Sequence, residues 1–278
     1  MTTLALDHAP VRPMSLNRIF GSERALAALG FLLLALLLPT LFAGIVDGRL
    51  TNDVSVWSKP VKFQFALAVY ALTLAFFARW LPAGTQDKRW YRIYIGAVIG
   101  AILLETIWLM GAAANGVPAH FNKSPAGEAI YMSMGALAVV LTSASAVYAW
   151  QIAKNRETGL PPVVKESIVA GLALVLPLTV ITAGTMSAFD GHWVGGMRSD
   201  AAGLAIFGWA RDGGDLRVAH FFSTHAMHFL PVVGLASLAI FGREERRPIR
   251  IATILFVALV AFTFVQALSG RPFLAFMG

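Results

Sequence analysis

Seven apolar stretches separated by short polar connections set the pattern of this chain. They lie near 25–46, 61–82, 93–115, 129–152, 165–187, 218–241 and 250–270, and each is close to the roughly 20 residues a helix needs to cross a bilayer. The first follows Arg12, Arg18 and Arg24 and has a Leu-rich body longer than a signal-peptide core, which predicts a retained helix. The pattern predicts an all-α, polytopic membrane helix bundle with seven transmembrane helices over 25–270 and a cytoplasmic N-terminal tail over 1–24. The longest connection, 188–217, has an apolar centre from Ala201 to Ala210 that is too short to span. With Trp193 and Trp209 it predicts an outer interfacial or re-entrant segment.

Composition agrees. Of 278 residues, 57% are hydrophobic and 13% charged, about half the charge of a soluble domain. The net charge of +7 would suggest nucleic acid in a soluble protein, but its placement explains it. Arg12, Arg18, Arg24, Arg79, Lys88, Arg89, Arg92, Lys154, Arg156, Lys165, Arg243, Arg246, Arg247 and Arg250 fall on one side, and the other 8 of the 22 basic residues on the opposite side. Cytoplasmic loops retain positive charge, so the N-terminus is expected inside, the C-terminus outside, and the protein in the inner (plasma) membrane. The expected partner is the lipid bilayer, with a lipid, quinone or other small molecule as ligand and no nucleic acid. Cysteine is absent, which excludes disulfides, thiolate metal sites and cysteine nucleophiles.

The ionisable groups left within the spans are the informative ones. In the sixth span His220, Thr224 and His228 fall on one helical stripe with His225 beside it, and Pro231 follows. Imidazoles spaced one or two turns apart suit copper, zinc or iron, or axial ligation of haem b. His120, in the Gly116 to Asn122 turn, and His192, in the long connection, lie toward the same side and complete the candidate ligand set. Glu105 is the only acid placed deep in a span, behind small residues at Gly96, Ala97, Gly100 and Ala101 that let another helix approach. It is the candidate catalytic or proton-handling group. Lys62, Asn122 and Asp190 are the polar residues expected to contact a bound cofactor.

Glu105, the Gly116-Val117-Pro118-Ala119-His120-Phe121-Asn122 turn and the His220 to Pro231 segment together resemble a set of uncharacterised bacterial polytopic membrane proteins, a likeness that implies the fold and no activity. Helix number and histidine content also resemble, more weakly, the seven-helix membrane hydrolases that hold zinc with three histidines, although the seventh span lacks the His pair usual there. The leading expectation is a histidine-rich metal or haem site in the outer half of the bundle, redox-linked. As an enzyme it would be a membrane oxidoreductase before a zinc hydrolase. The alternatives are a proton-coupled transporter using Glu105 and His228, and a non-catalytic assembly or lipid-binding protein.

Overall fold

The computed structural model describes residues 19–274. The predicted N-terminal tail, with His8, Arg12 and Arg18, therefore lies largely outside the described residues. Seven helices follow: α1 (Arg24–Val46), α2 (Ser58–Phe77, continued by a short 3-10 turn over Ala78–Trp80), α3 (Arg89–Ala114), α4 (Pro125–Lys154), α5 (Pro162–Ala188), α6 (Leu216–Phe241) and α7 (Arg247–Leu268). All seven are long and apolar enough to cross a membrane. They are compatible with an integral, multi-pass membrane protein.

Several helices begin earlier than hydropathy alone predicts, because their first turns are built from cap residues rather than apolar ones. Pro125, Pro162 and Pro248 stand in the first turns of α4, α5 and α7, where a missing N–H costs nothing and the fixed φ suits a helix. Ser124 caps α4 by accepting from Gly127 N at 3.1 Å. Asp215 caps α6 by accepting from Arg217 N at 3.0 Å.

The helices pack chiefly as sequence neighbours, α5 against α6 most extensively and α1 against α2 next. The α5–α6 contact depends on missing side chains. A Cβ on Gly171 would stand 2.8 Å from the Ala226 carbonyl oxygen, and one on Gly234 would stand 2.0 Å from Ser167 Oγ. Close approach of this kind holds apolar helices together where no hydrophobic effect acts between them. Leu26, Leu74, Val98, Ile102, Leu172 and Leu230 fill the interior. Leu38, Ile45 and Phe262 point outward and leave an apolar surface for lipid.

One end of the bundle carries the connections 47–57, 115–124 and 189–215, and is called the outer end after the charge asymmetry of the sequence. It holds two antiparallel two-stranded ribbons: β1 (Leu50–Thr51) with β2 (Val54–Ser55), and β3 (Trp193–Val194) with β4 (Gly214–Asp215). Between Ala188 and Leu216 the chain forms turns and the β3–β4 ribbon, with no helix. The segment from Ala201 to Ala210 folds back on itself, Leu204 N donating to Trp209 O at 2.8 Å. Its apolar content goes into an aromatic stack, Phe207 on Trp209 at 4.3 Å, with Phe221 of α6 edge-on to both.

Candidate functional site

The outer end is assembled by polar side chains that satisfy loop backbone. Asp47 accepts from Arg49 and from Trp57 Nε1 at 2.8 Å; these bonds, that from Arg49 foremost, hold its carboxyl well below the usual carboxylate range. Arg49 also reaches the carbonyls of Ala113 and Ala114, tying the first outer loop to the end of α3. Trp108 Nε1 donates to Ala119 O at 2.9 Å, which places His120 over the start of α2. There Lys59 Nζ donates to His120 Nδ1. The imidazole is packed edge-on by Phe63 and Tyr131 at 5.9 and 5.5 Å. Burial, and secondly the Lys59 charge, push the His120 pKa well below its ordinary value. His120 is thus a neutral acceptor.

Below this pair lie two buried polar side chains. Glu105 of α3 is 5% exposed and Gln64 of α2 is 1% exposed. Among the described residues Glu105 Oε1, Gln64 Oε1 and Gln64 Nε2 have no hydrogen-bond partner. Their relative depth follows from their neighbours. Gly44 of α1 packs on Trp57 and Gly30 packs on Leu72, so residues of α1 and α2 at one level have numbers summing to about 101. Thr40 Oγ1 contacts Met110 Sδ at 3.8 Å, which levels α1 with α3. Gln64 is therefore level with Leu37, and Leu37 with Ile107, within about one turn of Glu105. Glu105 lies about 14 Å and Gln64 about 10 Å inside the outer end of α3, by a rise of 1.5 Å per residue. Lys59 is the charged group that acts on Glu105. Unpaired buried polar atoms cost about 1–3 kcal/mol each unless water or a ligand satisfies them. Three within about one turn of each other in depth mark a place for water or for a small polar ligand.

The histidines of α6 bond to residues of different helices. His220 Nδ1 is 3.0 Å from Thr182 Oγ1 of α5, and His228 Nε2 is 3.0 Å from Thr73 Oγ1 of α2. Each threonine gives its own proton to a carbonyl, Thr182 to Leu178 O and Thr73 to Val69 O. The imidazoles are therefore the donors. His225 Nδ1 donates to Phe221 O at 2.8 Å, and its ring stacks on Phe221. The stripe predicted from sequence exists, but it runs about 12 Å along the axis from His220 to His228, and its ends bond to different helices. Metal–nitrogen bonds are only about 2 Å long, so the whole stripe cannot close on one ion. Among the described residues no group of three or more His, Asp or Glu is placed to hold a metal ion.

His192 belongs to a third, separate cluster. Its Nε2 lies 3.4 Å from Asp200 Oδ1. Arg217, in the first turn of α6, bridges Asp200 at 2.7 Å and Asp215 at 2.6 Å and donates to Gly208 O. Burial pushes the Asp200 carboxyl up, but the bond from His192 and the Arg217 charge outweigh it and hold the carboxyl low; burial lowers His192. Asp200 N donates to Asn52 O, and Lys62 Nζ donates to Phe207 O at 2.9 Å. The long connection is thus fastened over the outer end at several points. The residues expected to hold a cofactor are used otherwise: Lys62 in that fastening, Asn122 in accepting from Ser124 N, and Asp190 in an exposed pair with Lys123. None of the three is bonded to Glu105.

Reading the sequence for histidine missed Gln64, Thr73 and the Arg217–Asp200–Asp215 network. Gln64 was visible as an amide in an otherwise apolar span; the others depend on contacts between distant segments. Comparisons with protein-family models, curated proteins and solved structures return no match to this chain.

Proposed function

We propose that this is a proton-linked membrane carrier in which Glu105 takes up and releases a proton inside the bundle, the Lys59–His120 pair controls its access from the outer end, and His228 is a second titrating group. One observation carries the reading: Glu105 is 5% exposed and, among the described residues, makes no hydrogen bond through Oε1, within about one turn of the level of an equally unpartnered Gln64. A carboxyl kept only for structure would have a donor, because leaving one out is costly. An intramembrane carboxyl without one is suited to changing its protonation state as water or a solute enters. His228 supports the same reading from α6. Among the described residues its Nδ1 is buried without a partner while Nε2 bonds Thr73, which places it about 14 Å deeper than Gln64, by the rise along α2 from Gln64 to Thr73.

The test is proton exchange in liposomes reconstituted with the purified protein, under an imposed pH gradient with the membrane potential clamped and a pH dye trapped inside. Wild type is expected to exceed empty liposomes, Glu105→Gln to fall at least tenfold, and Glu105→Asp to keep part of the rate. Equal rates for wild type and Glu105→Gln, with thermal stability alone altered, would replace this reading with that of a structural or lipid-binding bundle.

A further inference from the structure

Another buried carboxyl, unlike Asp215 without an ion pair among the described residues, stands at the opposite end of the molecule. Glu23, just before α1, is 8% exposed and makes no ion pair among the described residues. Its Oε2 accepts from Tyr91 Oη of α3 at 2.7 Å, and Tyr91 Oη is 2.6 Å from Tyr148 Oη of α4. Tyr91 and Tyr148 are 2% and 0% exposed. Tyr91 gives its only proton to Glu23, so Tyr148 donates to Tyr91 and the hydroxyls point in series at the carboxylate.

The backbone N–H groups of Ala25 and Leu26, at the start of α1, favour its charged form, and no charged side chain pairs with it among the described residues. Arg79, in the 3-10 turn after α2, spends its guanidinium on the carbonyls of Phe76 and Ile19 and on the Phe76 ring. Tyr94 of α3 bonds Ser143 of α4 at 2.6 Å, and Tyr70 of α2 donates to Leu141 O at 2.7 Å. Tyr70, Tyr91, Tyr94 and Tyr148, all but one of the chain's 5 tyrosines, thus line the interior on the Glu23 side. Burial raises the Glu23 carboxyl above its ordinary value, against the hydrogen bonds from Tyr91 and from the backbone of Ala25 and Leu26, which lower it. For a structural staple an amide would accept the same bond without the cost of burying a charge.

The two carboxyl sites are related through α3. Tyr91 and Glu105 are separated by a near-integral number of turns, so they share a helix face about 21 Å apart. Ile95, Val98 and Ile102 lie between them, 4%, 0% and 0% exposed. An apolar stretch of α3 between two buried carboxyls, with the Thr73–His228 pair of α2 and α6 at the level of Val98, suits a carrier exposing one end at a time.

We infer that Glu23, with Tyr91 and Tyr148, is an inner proton-binding site that exchanges with the aqueous phase at the end opposite Lys59 and His120. This rests on the proton-linked reading of Glu105 and completes it. On loading, a hydronium ion gives up a proton, an O–H bond forms on Glu23 Oε1, and Tyr91 keeps its bond to Oε2. Release reverses both changes.

The experiment is an infrared pH titration of lipid-reconstituted wild type, Glu23→Gln, Tyr91→Phe and Glu105→Gln, following the carbonyl stretch of protonated carboxyls, alongside the liposome assay. Glu23→Gln keeps an acceptor for Tyr91 and is expected to fold. The inference expects Glu23→Gln to delete one protonated-carboxyl band, Tyr91→Phe to shift that band without deleting it, and Glu105→Gln to delete a different one. Proton exchange driven from the inner side is expected to slow at least tenfold in Glu23→Gln. Identical carboxyl bands in wild type and Glu23→Gln would overturn the inference, since Glu23 would then remain ionised as a staple. If Glu105→Gln leaves exchange intact while Glu23→Gln still loses its band, the Glu105 reading fails and the inner proton site stands.

Discussion

Lys59 at the start of α2 and His120 in the turn after α3 form a single hydrogen bond in which the ammonium donates to imidazole Nδ1. A lysine beside a histidine would ordinarily repel a protonated ring. Here the ring stays neutral because burial and the adjacent cation both oppose its charge, so the two residues fasten two connections at the mouth above Glu105.

This pair makes stability depend on pH. The folded-state pKa of His120 lies below its unfolded value of about 6.5, so the unfolded chain binds more protons in the window beneath that value. Stability is complete above about pH 6.5 and falls as pH drops below it, by up to about 1.4 kcal/mol per unit for this residue. His192, also lowered by burial, adds in the same direction. Thermal unfolding between pH 7.5 and 5 is the measurement, and His120→Asn, which keeps an acceptor for Lys59, is expected to flatten the dependence.

Arg217→Ala is expected to cost about 3–5 kcal/mol, because it strands Asp215, whose side chain is 0% exposed, and releases Asp200. Loss of these anchors should make the 189–215 connection the first site of limited proteolysis. Cleavage no faster than in wild type would show that Lys62 and the aromatic stack are sufficient to hold it.

Thr73 and His228 should couple energetically across the bundle. Thr73→Val leaves His228 Nε2 without its acceptor and is expected to destabilise by about 1–3 kcal/mol. In a double-mutant cycle with His228→Ala the two losses should overlap by about 1 kcal/mol rather than add.

Gln64→Met should separate stability from function. Removing two buried polar atoms that no group among the described residues satisfies is expected to raise the thermal transition, while proton exchange falls because Glu105 loses the polar surroundings that admit water. A variant that is both less stable and fully active would show that Gln64 has a structural partner.

The sixth span shows how far sequence reading reaches. Helical periodicity placed His220, His225 and His228 correctly on neighbouring positions of one helix, since a rotation of 100° per residue is local information. What the histidines face is not local. Thr182 and Thr73 come from different helices, and their hydroxyls, already committed to carbonyls, turn the imidazoles into donors between helices rather than a ligand cluster. Glu105 was found because an acid in an apolar span is anomalous by itself. Glu23 was not, because it reads as part of a charged tail and its burial depends on Tyr91 and Tyr148, far away in the chain.

The sequence by itself determined the seven apolar helices, the connections between them and the charge asymmetry between the two ends, because hydropathy, helical period and proline or serine caps act over one or two turns. Only the tertiary structure decided which polar groups satisfy one another. Pairing across helices is settled by register and rotation of the packed bundle, and that packing answered the histidines and left Glu105 and Gln64, among the described residues, unanswered within about one turn of each other.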